Sequence, residues 1–312
     1  MRILVTGGCG FLGDYIVKEL SKYDRFLVAN MDCMMYTPHY LDSYEFYYGD
    51  VTDYVRYAEV LEEFKPDVVI NTAAIVGDPA CAVNPIRTKD VNQDSVKWLS
   101  ENFGGKIIQI STCSVYGVND DLLNEESPTN PISVYAETKL AAEEYLDKDK
   151  DLIFRLGTLY GATTGRPRLD LVVNIFSMLS ALDQPITVNN PEALRPILHA
   201  KDVGGAISYG LMKELTGLYI LSQQNMSIGQ IAANVQVAVP TPVDVIYSEK
   251  KEDLRNYMVS TEKIKETGWN PRFTLESGIM DVYNIVREKR IKDPFSELYH
   301  NGKFVSIIEG NN

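Results

Sequence analysis

No run of eighteen apolar residues occurs anywhere in the chain, so a membrane-spanning helix is not expected. The first apolar segment is a short strand leading straight into glycines, unlike a secretory leader, and the cytoplasm is the expected compartment. Cysteine is scarce: Cys9, Cys33, Cys81 and Cys113 lack the paired spacing of a zinc site, and a chain this long does not need disulfides. Free thiols and no metal centre are expected. Basic residues are in deficit, 30 Lys and Arg against 43 Asp and Glu, a formal net charge of -13. That argues against nucleic acid or an anionic membrane as partner, and an anionic small molecule would be held only by a few local arginines. Internal repeats and low-complexity segments are also missing. At 312 residues and 45% hydrophobic content, the chain can bury a full core as one large or two modest domains.

What is present starts at residue 1. In MRILVTGGCGFLG an apolar strand runs into Gly7, Gly10 and Gly13 and then into the helical periodicity of Phe11 to Leu20. Gly7 suits a tight turn, Gly10 a close approach of backbone to a pyrophosphate, and Gly13 close packing of helix on strand. A second strand, Phe26 to Asn30, ends near Asp32 at the distance such a dinucleotide cradle requires. Further strands are predicted at Glu45 to Tyr48, Val68 to Asn71, Ile107 to Ile110 and Leu152 to Phe154. Helices are predicted at Val55 to Phe64, Ile86 to Phe103 and Val134 to Leu146. This alternation predicts a Rossmann-like, doubly wound parallel sheet, with the ligand across the carboxyl ends of its strands, where Gly7, Asp32, Asp50, Ala73 and Ser111 fall. Residues 1–165 are expected to form the dinucleotide-binding domain. Residues 166–312 are expected to form a smaller α/β substrate lobe, with helices near Leu169 to Leu182 and Leu275 to Arg290 and about 199–222 returning to the sheet.

In VYAETKLAAEEYL, Tyr135 and Lys139 are four apart and share one helix face, so a cation beside the phenol would lower its pKa and make Tyr135 a general base. Such a pair alone is usually just a helix face. Ser111 and Thr112 follow the strand ending at Ile110, where a hydroxyl can bond the oxygen that Tyr135 deprotonates.

Together TGGCGFLG, the NMD at Asp32, GDV at Asp50, NTAA at Ala73 and Ala74, STCSVYG and YAETK resemble the extended short-chain dehydrogenase/reductases, the NAD-dependent nucleotide-sugar epimerases and dehydratases. The resemblance implies NAD as cofactor, taking a hydride from C4 of a nucleoside diphosphate sugar. It implies Tyr135 as base, Lys139 on the ribose, and Thr112 as the catalytic hydroxyl. Gly7, Gly10, Phe11, Leu12 and Gly13 would hold the pyrophosphate, Asp32 the adenosine ribose, and Asp50 and Val51 the adenine; Ala73, Ala74, Asn92 and Ser111 complete the implied cofactor set. Paired helices across a two-fold, bearing Val91, Val96, Leu99, Leu140 and Ala141, would make a homodimer.

Two departures narrow the reaction. Sugar 4,6-dehydratases carry Asp and Glu after the catalytic Thr, where this chain has Cys113 and Ser114, so dehydration is not expected. Epimerases of the 3,5 type place a Cys directly before the aliphatic-Tyr pair, where this chain has Ser114. Cys113 is one residue early; it is kept as a candidate substrate contact against the plainer reading of a small buried residue. On the sugar side Asp78, Thr158, Arg168 and Asn174 are candidates, with Arg195 and Arg255 aligned to arginines on the nucleotide diphosphate; Thr158 stands where the family has Asn. His199 is read as structural. The expected reaction is 4-epimerisation through a transient 4-keto sugar, with a net C4 dehydrogenase or keto-sugar reductase as the alternative. A redox-sensing regulator without turnover is the remote one. GRPRLDLVVN looks closest to a subgroup acting on nucleotide-linked heptoses and deoxysugars.

Overall fold

The computed structural model describes residues 1–36, 45–163, 165–248 and 255–309. In chain order its strands are β1 (Arg2–Thr6), β2 (Leu27–Asp32), β3 (Glu45–Tyr48), β4 (Val68–Asn71), β5 (Lys106–Thr112), β6 (Val118–Leu123), β7 (Leu152–Leu156), β8 (Thr158–Tyr160), β9 (Ile186–Asn189), β10 (Leu194–His199), β11 (Gly217–Leu221), β12 (Gln224–Ser227), β13 (Val245–Ser248) and β14 (Asn256–Val259). The helices are α1 (Phe11–Leu20), α2 (Tyr54–Phe64), α3 (Asp78–Val83), α4 (Pro85–Lys89), α5 (Ser95–Asn102), α6 (Val134–Glu143), α7 (Val172–Ala181), α8 (Ala200–Met212), α9 (Ile228–Ala238), α10 (Glu262–Glu266), α11 (Leu275–Arg287) and α12 (Asn301–Glu309).

Seven strands form one sheet in the order β11-β7-β5-β4-β1-β2-β3, every pair parallel. The alternation of side chains along its buried strands divides the core. Ile3, Val5, Val68, Ile70, Ile108 and Ile110 face α1 and α8, while Leu4, Val69 and Ile107 face α2, α5 and α6. From β1 the chain winds outward through β2 and β3, then restarts at β4 and winds the other way. The reversal opens a crevice at the carboxyl ends of β1 and β4, the place where doubly wound sheets take their ligands. A second core of α7, α9 and α11 on β9 and β10 fills the smaller lobe, with Val173, Ile186, Ile231 and Ile279 fully buried.

Side-chain caps set several helix starts: Asp53 accepts from the Arg56 amide and Ser133 from the Ala136 amide, while Ser227 and Gln230 form a reciprocal capping box. Several elements differ from the sequence expectation. The helix expected over Ile86 to Phe103 is broken by a π turn at Asp90–Asp94 between α4 and α5. The segment after β4 forms the short helix α3, which was not expected, and α12 packs against it, with Asn84 Nδ2 donating to Glu309 at 2.9 Å. Val91, Val96 and Leu99 are buried in the core of their own chain, because that face of α5 and the π turn covers the sheet; they cannot form an interface between subunits.

Candidate active site

The crevice is part of a cavity of about 950 Å³ running from the β1–α1 turn to the smaller lobe. Gly7 has φ +71°, and a Cβ there would lie 2.7 Å from the Ala73 amide nitrogen. A Cβ on Gly13 would collide with the Gly7 carbonyl oxygen, so only glycine lets α1 start this close to β1. The N-cap of α1, Gly10, has no side chain to bond the first-turn amides, and Gly10, Phe11, Leu12 and Gly13 all line the cavity. An uncapped helix N-terminus beneath a glycine turn suits a pyrophosphate.

At the end of β2 the Asp32 carboxylate accepts from the amides of Cys9 (3.0 Å) and Met34 (2.8 Å), which fixes its direction, while burial raises its pKa. Beyond it, Asp50 accepts from the Thr52 amide and hydroxyl (2.9 and 2.8 Å) and pairs with Arg87. Burial works against its charge, yet these partners hold its pKa below the ordinary value. Val51, Ala73 and Ala74 complete this wall, and the set of glycines, uncapped amides and Asp32 fits a dinucleotide. Asn92 is not in it. Its amide bonds Ile75 on both sides, accepting from the backbone N–H at 2.8 Å and donating to the carbonyl at 2.9 Å, so it braces the loop after β4 from behind.

Thr112, Tyr135 and Lys139 converge on the same cavity. The Thr112 side chain lies beside the Tyr135 phenol and favours its charged form. Thr112 also accepts from the Ser114 amide at 3.1 Å, which orients its hydroxyl. The expected lowering of the phenol pKa by Lys139 is not what is found: burial, with the Cys81 thiol adding to it, lifts Tyr135 well above its usual value. The opposing influences are the Thr112 side chain and the positive charge of Arg168. Lys139 is itself lowered to about 8 by burial, although Glu143 pulls the other way.

Beneath these residues lies a buried polar network the sequence did not disclose. Ser111 donates to Glu143 through its hydroxyl, Arg155 bonds Glu143 bidentately (3.0 Å from Nε and 2.7 Å from Nη2), and Arg155 Nη1 donates to the Tyr116 hydroxyl at 2.8 Å. Ser111 therefore forms cavity floor while its hydroxyl is spent below. Cys113 is fully buried with its thiol against the Arg155 carbonyl at 3.5 Å, and burial pushes its pKa up. It does not line the cavity; Ser114 does, because Cys113–Tyr116 is a single 3-10 turn, in which successive side chains point about a third of a turn apart.

On the sugar side Asp78, Thr158, Arg168, Arg195 and Arg255 line the cavity. Arg195 donates to the Leu194 carbonyl at 2.7 Å and to the Arg255 carbonyl, and Arg255 lies 3.5 Å from the Asp78 carboxylate, which accepts from Ser133 at 2.7 Å. Asn174 stands behind the wall: it donates to the carbonyls of Gly161 (2.9 Å) and Arg168 (2.7 Å) and so holds the arginine loop. His199 caps α8 by accepting from the Lys201 amide and is lowered to about 4 by burial and by Lys201. The sequence reading missed Arg166, Asp170, Tyr257 and, from the C-terminal segment, His300 and Asn301, which also line the cavity. Arg166 and Asp170 flank Arg168 in GRPRLD and were within reach of a charge count; Asn301 bonds the Val76 carbonyl 225 residues away, which no local pattern signals.

The model of the NAD dependent epimerase/dehydratase family matches residues 3–217. A dTDP-D-glucose 4,6-dehydratase of Homo sapiens is 27% identical over 97% of this chain and 92% of its own, and a UDP-glucose 4-epimerase of Lactobacillus helveticus is 26% identical over 72% of this chain and 73% of its own. The Thermus thermophilus UDP-glucose 4-epimerase, solved with NAD, superposes with a TM-score of 0.82 at 24% identity, covering 93% of this chain and all of that one. With a matched model over most of its length and the parallel sheet that its relatives share, the chain belongs to the NAD dependent epimerase/dehydratase family and is an NAD-dependent enzyme of the short-chain dehydrogenase/reductase type.

Proposed function

We propose that this protein is a 4-epimerase of a nucleoside diphosphate sugar, working through a transient 4-keto intermediate. The observation that carries the reading is that Thr112, Tyr135 and Lys139 line one cavity with the glycine turn, with no carboxyl group directly following Thr112. Tyr135 accepts the proton of the sugar O4 and Thr112 hydrogen-bonds the same oxygen, holding it while charge develops. NAD, when bound, would supply the acceptor and donor of the C4 hydride and a positive charge that favours the phenolate. Gly7, Gly10, Phe11, Leu12, Gly13, Asp32, Asp50, Val51, Ala73, Ala74 and Ser111 are assigned to the cofactor, and Lys139 to its ribose. Arg195 and Arg255 are assigned to the substrate diphosphate, for which guanidinium forks are suited. Water elimination needs an acid and a base after Thr112; Cys113 is turned into the core and Ser114 faces the Tyr257 hydroxyl at 3.5 Å, which supports epimerisation over dehydration.

The test uses a C4-deuterated nucleotide sugar with the purified protein. Deuterium should reach the cofactor nicotinamide and return to the inverted C4. Turnover without any labelling of the cofactor would remove the keto route, and accumulation of NADH would make the protein a net C4 dehydrogenase. A homodimer is proposed on family resemblance, through the outer faces of α5 and α6, where Trp98 on α5 and Leu140 and Ala141 on α6 are partly exposed. Light scattering at micromolar concentration should then give twice 35.1 kDa, and a monomer would end that assignment.

A further inference from the structure

The last described helix, α12, lies beyond the matched residues 3–217 and borders the cofactor half of the cavity. Gly302, Lys303 and Ser306 line the cavity together with Gly7, Asp32 and Ala73. Farther along the helix, Ile308 and Glu309 share a second hollow with Cys33, Asp50 and Arg87. The helix is fastened to both rims of this groove. On one rim, after β2, the Phe304 ring packs on Tyr36 at 5.4 Å between centroids. On the other, after β4, Asn301 Nδ2 donates to the Val76 carbonyl at 3.0 Å, Gly302 abuts Pro79, and Asn84 Nδ2 donates to Glu309 at 2.9 Å. Between the rims Val305 is buried. In the sheet β1 sits between β4 and β2, so a helix tied to the segments after β2 and β4 spans the end of β1, where the glycine turn begins.

The same helix is latched to the arginine loop between β8 and α7. Asp170 accepts from Arg168 Nη2 at 2.9 Å and from the Asn301 amide at 3.0 Å, and the Leu169 amide donates to the Tyr299 carbonyl at 3.0 Å. Arg166 donates to the Leu298 carbonyl and to Asn301 Oδ1 at 2.8 Å, and its guanidinium lies 4.4 Å from the Tyr36 ring, which closes the tie across the groove. Nine residues are too few for a helix stable on its own, so α12 keeps its form only while docked. Undocking is then a local unfolding step that leaves the seven-stranded sheet intact. We propose that α12 is a strap over the cofactor, and that NAD enters and leaves only when this helix lifts from Tyr36 and Pro79. Exchange of the dinucleotide is limited by strap opening, not by its contacts with the glycine turn. The inference rests on NAD binding at that turn and is independent of which reaction follows.

Gly302 lets the strap be opened or locked, because a Cβ there would lie 2.9 Å from the Pro79 Cβ. Gly302→Leu wedges the helix off α3, whereas Gly302→Cys combined with Pro79→Cys puts two thiols within bridging reach, the bridge being confirmed by the mass of the linked peptides. Each protein is loaded with NADH and chased with excess NAD, and release is read from the loss of bound-NADH fluorescence. Gly302→Leu should release NADH at least about tenfold faster than wild type and take it up faster by a similar factor, since a gate scales both rates. The double variant should release NADH at least about tenfold more slowly when oxidised than after reduction, a comparison within one preparation that misfolding does not imitate. Equal release by the oxidised and reduced forms would overturn the inference. So would a Gly302→Leu protein in which dissociation alone quickens, because α12 would then be a contact and not a gate. A wild-type chain that bound no NADH would instead remove the cofactor site on which the strap depends.

Discussion

At the scale of single residues, Tyr135 and Lys139 meet opposite demands. Burial suppresses the phenolate and the ammonium alike, lifting the phenol above its usual value and bringing the lysine to about 8. Tyr135→Phe removes only the proton acceptor, so turnover should fall by about 10² to 10⁴ while NAD affinity, read by fluorescence titration, stays near wild type. Thr112→Ala should slow turnover less and Thr112→Ser should keep most of it; retained activity in Tyr135→Phe would remove the base from the mechanism. Lys139 gives a stability prediction with a definite sign. Its folded-state pKa of about 8 lies below the unfolded value of 10.5, so between these limits the unfolded chain holds more protons. The cost of burying the ammonium is full below pH 8 and is relieved as pH rises toward 10.5. Lys139→Met should therefore be more stable than wild type at pH 7, by on the order of 3 kcal/mol at most, with the gap closing by pH 10 in urea denaturation. A gap that widened with pH would contradict the burial argument.

Among the elements, what the sequence disclosed depended on how local the cause was. The strand, three glycines and helix at residues 2–20 follow from periodicity and from the steric demands of Gly7 and Gly13, and the parallel sheet follows from repeated βα alternation. Tyr135, Lys139 and Thr112 were legible because the strand end and helix spacing brought them to one sheet edge. Pieces with distant causes stayed hidden. The Glu143–Arg155 pair joins a helix to the strand after it, and α12 is held by Asn301, Asn84 and Gly302 against segments more than 200 residues earlier. The π turn at Asp90–Asp94 has no periodicity of its own, yet it carries Asn92, whose two hydrogen bonds hold Ile75 next to the cavity wall. Asn92→Leu leaves that buried N–H and carbonyl unpaired, so it should cost roughly 2–4 kcal/mol of stability. It should also weaken NAD binding through the displaced Ala73–Ala74 wall, measurable by thermal denaturation and by titration. Unchanged NAD affinity in a destabilised variant would show the brace to be structural only.

For the whole molecule, the decisive geometry is one continuous cavity bounded by the seven-stranded sheet on one side and the α7–α9–α11 core on the other. A dinucleotide seated on the glycine turn would meet Asp32 after β2, the loop after β4 and the start of α6, and so would bind only the folded chain. Free NAD at about 100 times its Kd should then stabilise the fold by about 2.7 kcal/mol, a rise in Tm of roughly 5 °C for a chain of this size. NADP at the same concentration should give a smaller shift, since its extra phosphate meets the Asp32 carboxylate, which two backbone amides hold in place. Asp32→Ala will itself lower Tm because those amides lose their acceptor, so the quantity that matters is the shift each ligand adds. That shift should shrink for NAD and grow for NADP, bringing the two together. If NADP already stabilises the wild-type protein as much as NAD does, Asp32 does not select the cofactor, and the ribose contact assigned to it is wrong.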